Sequence, residues 1–126
     1  MTIIPVIRCR GLRESVAFYT IILDFERIDG ATDLTDPSFC VVIHDGHRIF
    51  LSSHSGDARF GQALVIITED IEAVCRKLRT CGLLTPGDFN APREVHDGSI
   101  LQSWGTREFY VDDLNGNTIR FVQKQA

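Results

Sequence analysis

Trp104-Gly105-Thr106-Arg107-Glu108-Phe109-Tyr110-Val111-Asp112-Asp113-Leu114-Asn115-Gly116-Asn117-Thr118-Ile119-Arg120-Phe121-Val122-Gln123 is the stretch from which the fold is read. Two runs rich in aromatic and β-branched residues flank a polar hinge. Asn115-Gly116 is a favoured tight-hairpin dipeptide because both residues tolerate φ > 0. The pattern predicts a strand over 107–112, a turn over 113–117 and a strand over 118–123. Phe109 and Val111 share one face of the first strand, and Ile119 and Phe121 one face of the second. Arg120 and Val122 lie opposite them. A lone hairpin is marginal in water, so the rest of the chain must pair its edges and cover its apolar face.

Working back from the hairpin, Ala63 to Thr68 reads as a strand and residues 70–81 as a helix. In the helix Ile71, Val74, Cys75 and Leu78 are spaced i, i+3, i+4, i+7, and Gly82 follows as a C-terminal stop. Residues 88–98 are polar and leave room only for a short strand near Arg93–Val95. Ser99 to Gln102 can begin another. The first half has the same order. A strand over 2–9 is interrupted by Pro5, which removes a ladder donor and marks an edge, a bulge or a strand leaving its own module. A helix over 13–23 puts Leu12, Val16, Tyr19 and Leu23 on one side. Extended structure follows at 24–28, a polar loop at 31–38, and strands at 39–43 and 48–52 joined at Asp45-Gly46. The expectation is an α+β fold, one domain over 1–126, made of two βαβββ modules at 1–55 and 61–126. Each curls a small antiparallel sheet against its helix, and the two share a cleft.

Hydrophobic residues make up 44% and charged residues 24% of the 126-residue chain, as in ordinary globular domains. No apolar run approaches the length of a membrane span, and no export signal is read at Met1 to Ile7. Cys9, Cys40, Cys75 and Cys81 match no zinc spacing and read as small buried hydrophobes, so a reduced, cytoplasmic chain is expected. The formal net charge is -4 with no segregated basic run, which argues against nucleic acid as a partner. His44, His47, His54 and His96 suggest no metal cluster. Asp112 and Asp113 read as turn-bonding groups rather than an acid–base pair.

Gly11-Leu12-Arg13-Glu14-Ser15-Val16-Ala17-Phe18-Tyr19 with Leu23-Asp24-Phe25, together with Asp112-Asp113-Leu114-Asn115-Gly116-Asn117-Thr118-Ile119-Arg120-Phe121, resembles the paired signatures of the vicinal oxygen chelate superfamily. This is the glyoxalase/bleomycin resistance/dioxygenase group, and the resemblance spans essentially the whole chain. Ser103 to Phe109, Ile4-Pro5-Val6 and Phe121-Val122-Gln123 resemble its bleomycin-binding members in particular. The enzymes of the superfamily hold a divalent metal. Their usual ligand positions fall here on Ile4, near Ala63, and on Arg120. An isoleucine and an alanine offer no lone pair, and an arginine repels a cation. The resemblance therefore implies a protein without metal or other cofactor that binds rather than transforms its ligand.

The same resemblance implies a homodimer, with the first strand exchanged between subunits, that sequesters a bleomycin-type antibiotic. Such a ligand is large and cationic and carries a flat bithiazole. It calls for aromatic stacking surface with carboxylates nearby. Trp104, Phe39, Phe50, Ser52, Phe60 and Glu108 are the candidate binding residues, each with ordinary packing as the competing role. Asp33, Asp36, Asp45 and Asp57 would add negative potential. Two alternatives remain open: a metal-free binder of another small metabolite, favoured if Arg48, Arg107 or Arg120 points inward, and a metal-dependent lyase, isomerase, thiol transferase or dioxygenase.

Overall fold

The computed structural model describes residues 1–30 and 33–125. The predicted loop over 31–38 begins at Ala31 and Thr32, outside the described residues. The order is β1 (Val6–Arg8), α1 (Leu12–Ala17) running on as a π-helical turn at Phe18–Ile22, β2 (Glu26–Gly30), β3 (Phe39–His44) and β4 (His47–Ser52). Then come β5 (Ala63–Ile67), α2 (Ile71–Thr80), a 3-10 turn at Pro86–Phe89, α3 (Glu94–Asp97), β6 (Ile100–Leu101), β7 (Thr106–Asp112) and β8 (Thr118–Lys124). The chain divides into two compact units. Unit 1 is Met1–Gln62 with Asp113–Asn117, and unit 2 is Ala63–Asp112 with Thr118–Ala126.

Each unit holds a four-stranded sheet, ordered β1-β4-β3-β2 in unit 1 and β5-β8-β7-β6 in unit 2. The α+β class and the paired curled sheets hold. The expectation of purely antiparallel sheets does not, because β1 pairs with β4 in parallel and β5 with β8 in parallel. The reason is the crossover. The helix carries the chain back, so β2 starts in the direction of β1, and two reversals then return β4 to that direction.

In unit 1 Ile7, Cys9, Cys40, Val42, Ile49 and Leu51 alternate onto the buried side of the sheet. Leu12, Val16, Tyr19 and Leu23 of the helical segment are buried as their spacing predicts. Burying each large side chain contributes about 1.5–3 kcal/mol. Burial pushes the Cys9 thiol up to about 11, which fits an inert core residue. β1 is shorter than predicted and begins just after Pro5, whose carbonyl accepts from the Phe50 amide (2.9 Å). In unit 2 Ile71 and Leu78 of α2 are buried, with Phe109, Val111, Ile119 and Phe121 of the hairpin. Asp70 caps α2 by accepting from the Ala73 amide (3.1 Å), and Gly82 closes it with φ 107°. The short strand predicted near Arg93–Val95 is instead the helical turn α3. The Asp97 carboxylate accepts from the amides of Arg93 (2.7 Å) and Gly87 (2.6 Å), which winds that segment.

The hairpin turn is more than a surface reversal. Asp113 Oδ1 accepts from the amides of Asn115 (2.8 Å) and Asn117 (3.0 Å), and Oδ2 accepts from Tyr19 Oη (2.8 Å) and Asn117 Nδ2 (3.0 Å). Asn115 Oδ1 accepts from the Arg10 amide (2.9 Å), and Nδ2 donates to Ser15 Oγ (2.9 Å). Burial first, then the Asp113 charge, drives the Tyr19 phenol well above its ordinary range, so it stays a donor.

Candidate functional site

The sheet faces opposite the helices carry the candidate residues, and each unit fills that face differently. In unit 1, Phe39 on β3 and Phe50 on β4 stand on a diagonal, two residues apart in register and on the same face. Their rings stack at 4.8 Å between centroids and 8° between planes, and both remain half-buried. Ser52, opposite Phe39, is 0% exposed. Its hydroxyl donates to Asp57 Oδ2 (2.7 Å) and accepts from the His54 amide (3.1 Å). A cavity of about 590 Å³ lies beside Phe50, bounded by Val6, Asp57, Ala58 and Gln62. Phe60 does not join the Phe39–Phe50 pair. The Arg8 and Arg10 guanidinium groups lie over its ring at 4.5 and 4.2 Å. These are cation–π contacts, and they occupy the ring.

In unit 2 the centre of the face is Glu108, 5% exposed. It accepts from Trp104 Nε1 (2.9 Å), from Thr106 Oγ1 (2.5 Å) and from the Tyr110 hydroxyl. Tyr110 in turn accepts from Arg120 directly across the β7–β8 ladder, and the Arg120 guanidinium lies 4.5 Å over its ring. Burial alone would raise the Glu108 carboxyl. The bonds from Thr106, Tyr110 and Trp104, with the Arg120 charge, outweigh it and hold the carboxyl below the usual glutamate range. Trp104 is thus tied at its N–H while the residue as a whole stays 66% exposed. Val65 and Ile67 of β5, next to β8, are also exposed apolar residues.

The remaining candidates scatter. The carboxylates of Asp33 and Asp36 are held low by hydrogen bonds, the first from Thr35, the second from Ser53 and the Leu12 amide. Asp45 is exposed and lies 3.5 Å from His44. Arg107 donates to the carbonyl and hydroxyl of Ser99 (3.3 Å each), and Arg48 is exposed. Ile4 precedes β1, and Ala63 pairs in register with Thr118, two residues from Arg120. Among the described residues no group of three or more His, Cys, Asp or Glu converges in a way that could hold a metal ion. Sequence reasoning missed Tyr110. Glu108 and Tyr110 alternate on β7 opposite Arg120, a period-2 signal sufficient to join them. It also missed the Arg8–Phe60–Arg10 stack, for which no local signal exists.

Solved structures share this fold. A bleomycin resistance determinant encoded on transposon Tn5 superposes with a TM-score of 0.75 at 16% identity, covering 100% of this chain and 99% of that one. A glyoxalase/bleomycin resistance protein from Catenulispora acidiphila gives 0.71 at 15% identity, with 98% and 97% covered. A bleomycin-binding protein from bleomycin-producing Streptomyces verticillus, complexed with copper(II)-bleomycin, gives 0.68 at 21% identity, with 100% and 96% covered. No protein-family model matches the chain, and no curated protein matches it. At these identities the likeness is one of fold, and at that level it agrees with the resemblance carried by the two signatures.

Proposed function

We propose, on the premise of a fold shared with glyoxalase/bleomycin resistance/dioxygenase proteins, that the chain binds a small molecule and sequesters it without transforming it. The ligand we favour is a bleomycin-type cationic glycopeptide, taken up by a cytoplasmic homodimer. The observation that carries this reading is Trp104, whose indole N–H is fixed by buried Glu108 while the residue as a whole stays exposed. An aromatic surface held in one orientation loses little entropy when a flat ligand stacks on it. Within unit 1, the Phe39–Phe50 pair is itself a stacked aromatic surface of the kind a flat ligand uses. Isoleucine, alanine and arginine at Ile4, Ala63 and Arg120 offer a cation no ligand, which supports binding without metal chemistry.

One observation favours a second reading. Arg120 lies on the open face of β8 against Tyr110. A fixed guanidinium beside aromatic rings suits an aromatic carboxylate or similar small anion.

Titration of the protein with bleomycin, followed by Trp104 fluorescence and calorimetry, tests the first reading. The expected outcome is saturable binding at one ligand per subunit, weakened at least about tenfold by Trp104→Ala. Absence of binding by a folded dimer overturns it. Binding of benzoate instead, lost in Arg120→Gln, establishes the second reading.

A further inference from the structure

Unit 1 brings two arginines onto one aromatic ring. Ile7 and Cys9 turn into the core, and Arg8 and Arg10, which alternate with them, turn out. The guanidinium carbon of Arg8 lies 4.5 Å and that of Arg10 4.2 Å from the centroid of the Phe60 ring. The hairpin turn builds this stack. Buried Asn117 donates from Nδ2 to the Arg8 carbonyl (3.1 Å) and accepts at Oδ1 from the amides of Gly61 and Gln62 (3.1 Å each), which sets Phe60 beside Arg8. Asn115 Oδ1 accepts from the Arg10 amide (2.9 Å). The backbone of all three side chains is therefore anchored to one turn.

Two like charges over one ring lie about one Debye length apart or less, so they repel. Each cation–π contact contributes about 0.5–1 kcal/mol against that repulsion, and it leaves the N–H donors of the guanidinium unused. Among the described residues neither guanidinium has a carboxylate within ion-pair distance, although the chain holds 17 acidic residues against 13 basic ones. Carboxylates of unit 1 are engaged elsewhere. Asp57 accepts from Ser52 (2.7 Å), Asp36 from the Leu12 amide (3.0 Å), and Asp113 holds the turn. Arg8 is half-buried, and of its three guanidinium nitrogens only Nε is both buried and unpartnered. The two terminal nitrogens are thus the ones open to solvent, and Arg10 is exposed.

Two guanidinium forks of fixed position suit an anion with two charges and at least three acceptor oxygens. A phosphomonoester carries about −1.5 to −2 charge at pH 7 and three such oxygens. A carboxylate has one charge and two oxygens, which a single fork satisfies. A long polyanion would meet, beyond the pair, a chain of net charge -4.

We propose that Arg8 and Arg10, held on Phe60, form a binding site for the phosphate group of a small phosphorylated molecule, the terminal N–H groups of both guanidiniums donating to its oxygens. The site does not rest on the sequestering function, and it makes Phe60 the spacer of two arginines rather than a ring for ligand stacking.

The test is a calorimetric titration of the full chain with inorganic phosphate, methyl phosphate and acetate at constant ionic strength, with the arginine side-chain nitrogens followed by NMR. The expected result is saturable binding of both phosphates with a Kd of about 1 mM or tighter, shifts at Arg8 and Arg10, and acetate at least about tenfold weaker. Arg10→Gln, at an exposed position, should weaken methyl phosphate at least about tenfold, while Arg76→Gln, at an exposed position of α2, should leave it unchanged. Absence of saturable phosphate binding, equal binding of acetate, or unchanged binding in Arg10→Gln overturns the proposal. So does binding of a short single-stranded DNA more than about tenfold tighter than methyl phosphate, which would make the pair a nucleic-acid contact.

Discussion

Unit 1 and unit 2 use one strand order and fill the open face of the sheet by opposite means. In unit 1 the centre is apolar, with the rings of Phe39 and Phe50 stacked at 4.8 Å. In unit 2 it is polar, with Glu108 gathering Trp104, Thr106 and Tyr110, and Arg120 completing the chain through Tyr110. The helix-side cores are alike, aliphatic and aromatic in both. Topology thus fixes which positions face the helix, while the opposite face is free to differ. The boundary follows the same lesson. Strands β7 and β8 belong to unit 2, yet the turn between them belongs to unit 1.

The contrast is broken most strongly at that turn. Asp113→Ala removes the acceptor for four hydrogen bonds and strands buried donors on Tyr19 and Asn117. Urea denaturation is expected to show a loss of at least about 3 kcal/mol. A loss under about 0.5 kcal/mol would make the turn an ordinary surface loop.

Next comes the ring pair. Phe39→Ala and Phe50→Ala are each expected to cost about 1–2 kcal/mol, and the double-mutant cycle to show about 1 kcal/mol of coupling. A cycle without coupling would mean that the two rings pack independently.

The polar face should answer to pH where the aromatic one does not. The Glu108 carboxyl is held below its ordinary 4.5, so its contribution is complete above that value and is lost as pH falls through the lower folded value. The stability difference between the protein and Glu108→Gln should therefore shrink on acidification below about 4.5. A difference independent of pH would show that the carboxylate charge does not matter there. The smallest effect is expected at Trp104. Little packing is lost with its exposed side chain, so Trp104→Ala should cost only about 0.5–1 kcal/mol, for the bond its N–H donates to Glu108, measured by the same denaturation.

The sequence made legible what repeats locally. The apolar spacing of Leu12, Val16, Tyr19 and Leu23 and the Asn115-Gly116 hinge each signal their element within a few residues. It did not show the parallel pairing of β1 with β4, because alternation marks a face and not the direction of the neighbouring strand. It misread 93–95 because the bond that winds α3 comes from Asp97 and is shared with Gly87, ten residues away. For the site, Trp104 and Glu108 are each legible as candidates, one as an aromatic surface and the other as a carboxylate, but the bond that joins them is not. Nor is the setting of Phe60, since Arg8 and Arg10 reach it from another part of the chain.

Asn117 carries a consequence for how this gene can be cut. Its Oδ1 accepts from the amides of Gly61 and Gln62 (3.1 Å each), and its Nδ2 donates to the Arg8 carbonyl (3.1 Å). A fragment ending at Gln62 would lose the residue that ties its own last turn to its first strand. A fragment beginning at Ala63 would carry a loop whose partners had been left behind. The repeat looks like two interchangeable cassettes, but five residues on loan from one to the other make it a single inheritance. Shuffling, splitting or permuting the coding sequence at the midpoint must take Asp113–Asn117 into account.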